Sequence, residues 1–582
     1  MNDAHRPDEA PETLAADWLA QLEAAFRQHD AAAAAALFLA DGHWRDLLAF
    51  DLQLATTSGT PAITARLATT LARTRPRALH LPPARTRPHW VTRAGTDTLE
   101  VIFAFETAAG PANGVARLVA TPEGLRAWIL LTALDGLHGH PELGPQSGGA
   151  ETSRQFGGEN WLDRRTSRTA YADRDPAVIV VGAGQAGLSV AARLGQLGVD
   201  TLIIDREARV GDNWRHRYHS LTLHNEVHVN HLPYMPFPPT WPVFIPKDKL
   251  AGWFEAYAEA MELNVWTGTA LTAGSHDAAS GRWAVTLQRM DGSTRTMHPR
   301  HLIFATGVSS IPIQPDIPGL ADFAGTVQHS GHYTSGAAWR GRPAVVLGTG
   351  NSGHDVAQDL HASGAAVTIV QRSPTHIVSL AEAQRVYALY AEGMPTDDCD
   401  LLATAMPFPA LKRAYQLATA HSAAADKPLL DRLAARGFRL DPGIDGTGFQ
   451  MLYLQRGGGY YFNVGCSDLI ADGAIGLIQA ADLDRVVPEG LRLRDGRVIP
   501  AELLVLATGY RNQQDVVRAY LGDAIAERIG PVWGFDAGGE LRNMWRPTPQ
   551  PGLWFTAGSL AQCRIYSKYL ALQIKAQELA LG

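Results

Sequence analysis

Two glycine-rich runs carry the residue types best suited to chemistry in this chain. The first is Gly182-Ala183-Gly184-Gln185-Ala186-Gly187, followed further on by Asp205 and Arg206. Each glycine has its own physical task. Gly182 makes a tight turn, Gly184 lets the backbone approach a pyrophosphate, and Gly187 lets a helix pack closely on a strand. A helix opening at such a turn presents unpaired N–H groups and a positive dipole end to phosphate oxygens. An acid at the tip of the next strand accepts hydrogen bonds from ribose hydroxyls, and Asp205 stands at that spacing. A glycine-rich turn with no ligand is the plain alternative, and it leaves the position of the acid unexplained.

The pattern recurs at Gly348-Thr349-Gly350-Asn351-Ser352-Gly353, and the apolar run after it ends in Gln371-Arg372-Ser373. A guanidinium fork there suits the 2′-phosphate of NADP, which a carboxylate would repel. The alternative for Arg372 is a solvated surface charge. Two such turns with opposite chemistry at the strand tip imply two different dinucleotides, with FAD on the first and NADPH on the second.

These residues need elements to hold them. Val178 to Val181 is an apolar run. Leu188, Ala191, Leu194 and Leu197 then repeat at helical spacing, and Thr201 to Ile204 is apolar again, which reads as strand, turn, helix, strand. The second copy gives the same reading from Ala344 to Leu347, Val356 and Leu360, and Ala366 to Val370. The expected fold class is α/β, with two Rossmann-type dinucleotide-binding domains preceded by a smaller α+β cone. In that leading part, residues 1–13 are read as a disordered tail. Helical patterns run from Thr13 (Trp18, Leu22, Ala25 and Phe26 on one face), over Ala31 to Leu39, and over Pro61 to Ala72. Strand-like runs follow at Trp90 to Val91, Leu99 to Thr107, Gly114 to Thr121 and Leu125 to Leu134, giving a cone over 14–140. Asp41, Trp44, Arg45 and Asp46 form a polar cluster that is either a functional pocket or a capped helix end around a buried aromatic. Residues 141–175, rich in Pro, Gly, Ser and charge, read as a linker.

Composition bounds the function. A chain of 582 residues predicts more than one domain, and 46% apolar residues suffice for sizeable cores. With 51 basic and 58 acidic side chains there is no nucleic-acid signature. Cys399, Cys466 and Cys563 lie too far apart in sequence for a CxxC pair, which argues for a reducing compartment and against thiol redox chemistry. No metal-ligating set is expected. No apolar run approaches the roughly 20 residues that span a bilayer, so the expectation is a cytoplasmic protein without membrane contact.

Further motifs point to a family. They begin with Gly211…Trp214-Arg215, then Leu221-Thr-Leu-His224 and Leu232-Pro-Tyr-Met-Pro-Phe-Pro238, then a helical stretch bearing Trp253, Phe254 and Tyr257. Phe323-Ala-Gly325…His329-Ser330…Tyr333 follows the pattern FxGxxxHxxxY. Ala305-Thr306-Gly307 and Ala507-Thr508-Gly509-Tyr510 each close an apolar strand, and the chain ends in GLWFTAGSLAQCRIYSKYLALQIKAQ. Over residues 176–582 this resembles the flavin-containing monooxygenases, in their YUCCA-type branch, and the leading cone resembles SnoaL-like domains. The resemblance implies a FAD domain over 176–333 and 500–582, interrupted by an NADPH domain over 334–499 with a helical insertion at about 380–440. It places Trp214 and Arg215 along the flavin ring. His224 and Asn225 come near the reacting flavin atoms, and His329 with Ser330 links the two domains. Thr306, Gly307, Thr508, Gly509 and Gly558 fall in cofactor-contacting turns.

The implied reaction passes a hydride from NADPH to the flavin, forms a C4a-hydroperoxide with O₂, and oxygenates a small organic substrate while water is kept out. Tyr333 replaces the tryptophan of the Baeyer–Villiger pattern, and the stretch after Trp214 lacks that group's YPG and acid. The expectation is therefore N- or S-oxygenation, or an indole or 2-oxo-acid substrate. Ketone oxidation, or an NADPH oxidase releasing H₂O₂, is the alternative; a disulfide reductase and a non-enzymatic flavoprotein fit less well. The cone is read as an accessory module that covers the flavin domain or mediates assembly into a homodimer.

Overall fold

In the computed structural model, which describes residues 6–143 and 156–581, a helix runs from Pro11 to Arg27. Proline is well placed in a first helical turn, where its missing N–H would have had no partner. The disordered tail expected over 1–13 is thus corrected: residues 11–13 are helical, and the first five lie outside the described residues. The alanine run forms a helix only over Ala31–Ala36, and Phe38–Leu47 is a strand, not the end of that helix. It pairs parallel with Gly124–Leu134 and antiparallel with Leu54–Ser58, so tertiary pairing outweighs local propensity. The cluster read as a helix end therefore sits on a strand. Trp44 Nε1 donates to Thr132 Oγ1 (2.9 Å), which donates to Asp46 Oδ1 (2.5 Å), and burial pushes the Asp46 carboxyl up to about 7.

Seven strands make the N-terminal sheet, and its side chains alternate between two apolar surroundings. Along Thr96–Glu106, Leu99, Val101, Phe103 and Phe105 join Trp18, Leu22 and Leu67 of the region's own helices. Ile102, with Val115 and Leu131 on neighbouring strands, turns to the opposite face and joins the core of the remaining chain. Arg45 reinforces that docking. It meets the Glu540 carboxylate through Nε (3.0 Å) and Nη2 (2.7 Å), and donates from Nη1 to the Thr404 carbonyl (2.6 Å). Burial opposes its charge, but Glu540 holds the guanidinium ionised. Glu540→Ala leaves this buried cation unpaired, and the expected cost is about 3–5 kcal/mol of stability, read from denaturant unfolding. A loss under 1 kcal/mol, the ordinary range for an exposed pair, would contradict the docking described.

The stretch read as a linker contains a helix, Trp161–Ala170, closed at its start by reciprocal bonds between Asn160 and Asp163. Residues 144–155 of that stretch lie outside the described residues. Beyond it come two parallel five-stranded sheets. The first runs in the order Asn264–Trp266, Thr201–Ile204, Val178–Val181, His301–Phe304, Leu553–Phe555, with helix Gln185–Gln196 packed beside the closing helix Leu560–Glu578. The second runs Thr326–His329, Leu503–Leu506, Pro343–Leu347, Ala366–Gln371, Gly476–Gln479. This shifts both domain boundaries. Thr326–His329 and Leu503–Leu506, assigned from sequence to the first domain, pair with each other and with Pro343–Leu347 in the second sheet. Residues 380–435 are almost wholly helical, and Asp398 and Glu392 within them pair with Arg85 and Arg93 of the N-terminal region.

Candidate active site between two glycine turns

The two turns are built alike. Gly182 takes φ 113°, and a Cβ there would come within 2.7 Å of the Ala305 carbonyl; at Gly187 a Cβ would come within 1.9 Å of the Gly182 carbonyl. Both positions therefore require glycine for the fold itself. Gly184 differs: the nearest atom to a Cβ is Asn213 Nδ2 at 3.0 Å, and the position faces a cavity of about 1680 Å³. In the second turn Gly348 (φ 121°) and Gly353 are closed by the Ala507 and Gly348 carbonyls at 2.3 and 2.1 Å, while Gly350 meets nothing nearer than 3.8 Å. Each turn thus has a rigid frame and one open glycine, opposite the place where a pyrophosphate would lie.

The strand tips carry the residues expected of them. Asp205 accepts N–H bonds from Ala183 (2.6 Å) and Glu207 (2.9 Å), and burial raises its pKa. Its carboxylate therefore braces the first turn while still lining the cavity, as does the largely exposed Arg206. Arg372 and Ser373 are exposed at the end of Ala366–Gln371 and stand outside the cavity lining. Asn351 and Ser352 line it, and Asn351 Oδ1 accepts the Phe462 N–H (3.0 Å).

Trp214 lies in the cavity wall and donates to Gln185 Oε1 (3.4 Å), while Gln185 Nε2 donates to the Gly558 carbonyl (3.3 Å). Gln185, unnoticed in the sequence because it fills a variable position of the motif, thus links the first turn to the start of the closing helix. Arg215 departs from its expected place beside a flavin ring. Its Nη1 donates to Asp212 (2.7 Å) and to the Val210 carbonyl (2.9 Å), its Nη2 to Glu255 (2.6 Å), and it does not line the cavity. Two carboxylates hold it on the far side of the short helix Asp212–Arg215. Glu207, Asp212 and His216 also approach one another there, and Asp212 is already spent on Arg215 and the Arg209 N–H.

His224 and Asn225 extend from the strand Thr222–Glu226 into the cavity. Burial pushes the His224 pKa down, opposed by the Asp355 charge, and its ring meets Phe462 edge-on at 5.2 Å. Asn225 Nδ2 donates to the Tyr387 hydroxyl (3.3 Å) on the helical segment. Tyr218 donates to Asp355 on the helix of the second turn, a bridge between the two units that no sequence motif announces. His329 lies outside the lining. Its Nε2 bonds the Gly509 carbonyl (3.2 Å) and its Nδ1 accepts the Gly331 N–H (3.1 Å), which assigns a neutral ring protonated at Nε2. Burial lowers its pKa in accord. Thr508 Oγ1 donates to the Ile313 carbonyl (2.5 Å), and Gly307 accepts from Gln513 (2.9 Å). Thr306 Oγ1 is buried beside the first turn with no partner, a polar atom left for a ligand.

Residues 179–386 match the family model described as pyridine nucleotide-disulphide oxidoreductase. Indole-3-pyruvate monooxygenase YUCCA1 of Oryza sativa subsp. japonica is 32% identical over 350 residues, 60% of this chain and 79% of that protein. The chain belongs to the YUCCA-like flavin monooxygenase family. Probable indole-3-pyruvate monooxygenase YUCCA4 of Arabidopsis thaliana is 31% identical over 338 residues, 58% of this chain and 76% of its own length. In fold, the chain is similar to an epsilon-caprolactone-bound cyclohexanone monooxygenase, with TM-score 0.52, 17% identity, and 70% and 88% of the two chains covered. FAD and NADPH are the cofactors of this flavin monooxygenase. The open glycines Gly184 and Gly350, the helix starts behind them and the unpartnered Thr306 hydroxyl fit such groups. The three cysteines are free and buried, and burial pushes Cys399 up to about 11 and the other two higher, which disfavours thiolate chemistry. Among the described residues no helix is long and apolar enough to cross a membrane.

Proposed function

We propose that this chain is an NADPH- and FAD-dependent monooxygenase that uses O₂ to oxygenate a small organic substrate, by N- or S-oxygenation or on an indole or 2-oxo-acid compound. The observation that carries the reading is the shared cavity: Gly184 and Trp214 from the first unit, Asn351 and Ser352 from the second, and Tyr387 from the helical segment line one space. The bound flavin supplies hydride acceptance and oxygen activation, and the protein supplies position and dryness. Gly184 and Gly350 admit the phosphates, and Arg372 with Ser373 receives the 2′-phosphate of NADPH at the exposed strand tip. His224, kept neutral by burial, and Asn225, held by Tyr387, orient groups at the reacting end through hydrogen bonds. His329 acts at one remove: it fixes the Gly509 and Gly331 turns at the junction of the two units. Arg215 positions the helix that carries Trp214.

The test is a panel of amines, sulfides and indole or 2-oxo-acid compounds, reading NADPH consumption against H₂O₂ release. A true substrate converts nearly every NADPH into oxygenated product. Stoichiometric H₂O₂ with every compound would replace the reading with an oxidase, and no NADPH consumption would end it.

A further inference from the structure

Arg217 belongs by sequence to the first dinucleotide unit, but its segment is fastened to the second. The Tyr218 ring is buried in the core of the second unit with Ala344, Val346 and Val356, and its hydroxyl donates to Asp355. The next N–H, that of His219, donates to the Thr334 carbonyl (2.8 Å). Asp355 lies about one turn along the helix Asn351–Ala362, which opens at the second glycine turn. Burial raises the Asp355 pKa, and the nearby Arg217 charge is among the groups that oppose the rise. The first unit thus delivers Arg217 beside the helix start where a dinucleotide diphosphate would rest. Arg217 is half-buried and lines the cavity together with Asn351 and Ser352.

The charge of Arg217 is unspent. Of the other arginines in the lining, Arg45 meets Glu540, Arg93 and Arg117 meet Glu100, and Arg546 meets Asp536. More loosely, Arg206 meets Glu207 (3.5 Å) and Arg385 meets Glu382 (3.6 Å), on the first strand tip and the helical segment. Among the described residues, Arg217 alone of the lining arginines has a guanidinium with neither an ion pair nor a hydrogen bond. The second turn, for its part, offers a diphosphate only neutral donors: the N–H groups of the helix start and the side chains of Asn351 and Ser352. Two ionised phosphates in a partly enclosed space also need a counter-charge, and a guanidinium fork matches their oxygens. We propose that Arg217 is a coenzyme-anchoring residue: it reaches across from the first unit to bind the diphosphate of NADPH, while Arg372 receives the 2′-phosphate.

The inference rests on the NADPH-dependent reading above, and the experiment separates the two. Binding of NADP⁺ and of NAD⁺ to the FAD-loaded protein is titrated through the change in flavin absorbance, without turnover. Both coenzymes carry the diphosphate, so Arg217→Gln should weaken both by a similar factor of about ten, equivalent to roughly 1.4 kcal/mol. FAD content and melting temperature should stay close to those of the wild type. Arg217→Lys, which keeps the charge, should bind both coenzymes several-fold more tightly than Arg217→Gln. Arg372→Ala, by contrast, should weaken NADP⁺ alone, and in the double variant the two losses of NADP⁺ affinity should multiply. Arg217→Met repeats the test should Arg217→Gln fail to fold. Unchanged coenzyme binding in the folded variant would overturn the inference, as would a rise only in the KM of a carboxylate-bearing substrate. A loss confined to NADP⁺ would move Arg217 to the 2′-phosphate, and a loss of FAD would move it to the flavin's own diphosphate; either result ends the proposal. A wild-type protein that binds neither NADP⁺ nor NAD⁺ would count against the NADPH-dependent reading instead.

Discussion

Gly184→Val is expected to yield a folded but colourless protein. The geometry separates this glycine from its neighbours in the motif. A Cβ at Gly187 lies 1.9 Å from a carbonyl oxygen and one at Gly182 lies 2.7 Å from another, so substitutions there strike the strand–turn–helix frame. At Gly184 only the flexible end of Asn213 is near, at 3.0 Å, and the added methyl groups of valine project into the cavity. That space is where phosphate oxygens must approach the backbone N–H groups at the start of Gln185–Gln196. The predicted outcome is loss of FAD after purification with little change in far-ultraviolet circular dichroism. Gly187→Ala should instead lower the melting temperature. A yellow Gly184→Val protein would remove the flavin from this turn.

Arg372→Ala should raise the KM for NADPH by about 10- to 100-fold while leaving that for NADH within about twofold, since charge-assisted bonds to a phosphate contribute roughly 1.5–3 kcal/mol. The residue stands exposed at the end of Ala366–Gln371, where the adenosine end of a dinucleotide on the second turn would emerge. Its own carbonyl is engaged by Arg439 Nη2 (2.5 Å), which steadies the backbone of the tip. Equal effects on the two coenzymes would show that Arg372 is a solvated surface charge.

Some of this molecule is readable from residues alone because local chemistry dictates it. The glycine spacing, the apolar runs beside it and the acid or arginine at each strand tip leave few arrangements open, and Gly182, Gly187, Gly348 and Gly353 are enclosed as that reading requires. The helical character of 380–435 follows from alanine-rich composition in the same way. What escaped depends on distance. Short apolar runs such as Thr326–His329 and Leu503–Leu506 carry no mark of the sheet they join, so the domain boundaries fell in the wrong place. Phe38–Leu47 is a strand because partners at Leu54–Ser58 and Gly124–Leu134 make it one. Arg215 sits in a motif whose neighbour Trp214 faces the cavity, yet Asp212 and Glu255 turn its side chain away. Arg45 and Glu540 are separated by most of the chain, and no periodicity could have joined them.

The central claim is that the two coenzymes share one chamber and exchange electrons there. Anaerobic titration of the FAD-loaded protein with NADPH, followed by flavin absorbance, tests it most directly. One equivalent of NADPH per flavin should bleach the oxidised flavin bands, and NADH should do so far less readily. A flavin that stays oxidised in the presence of excess NADPH, in protein that retains its FAD, would contradict the account.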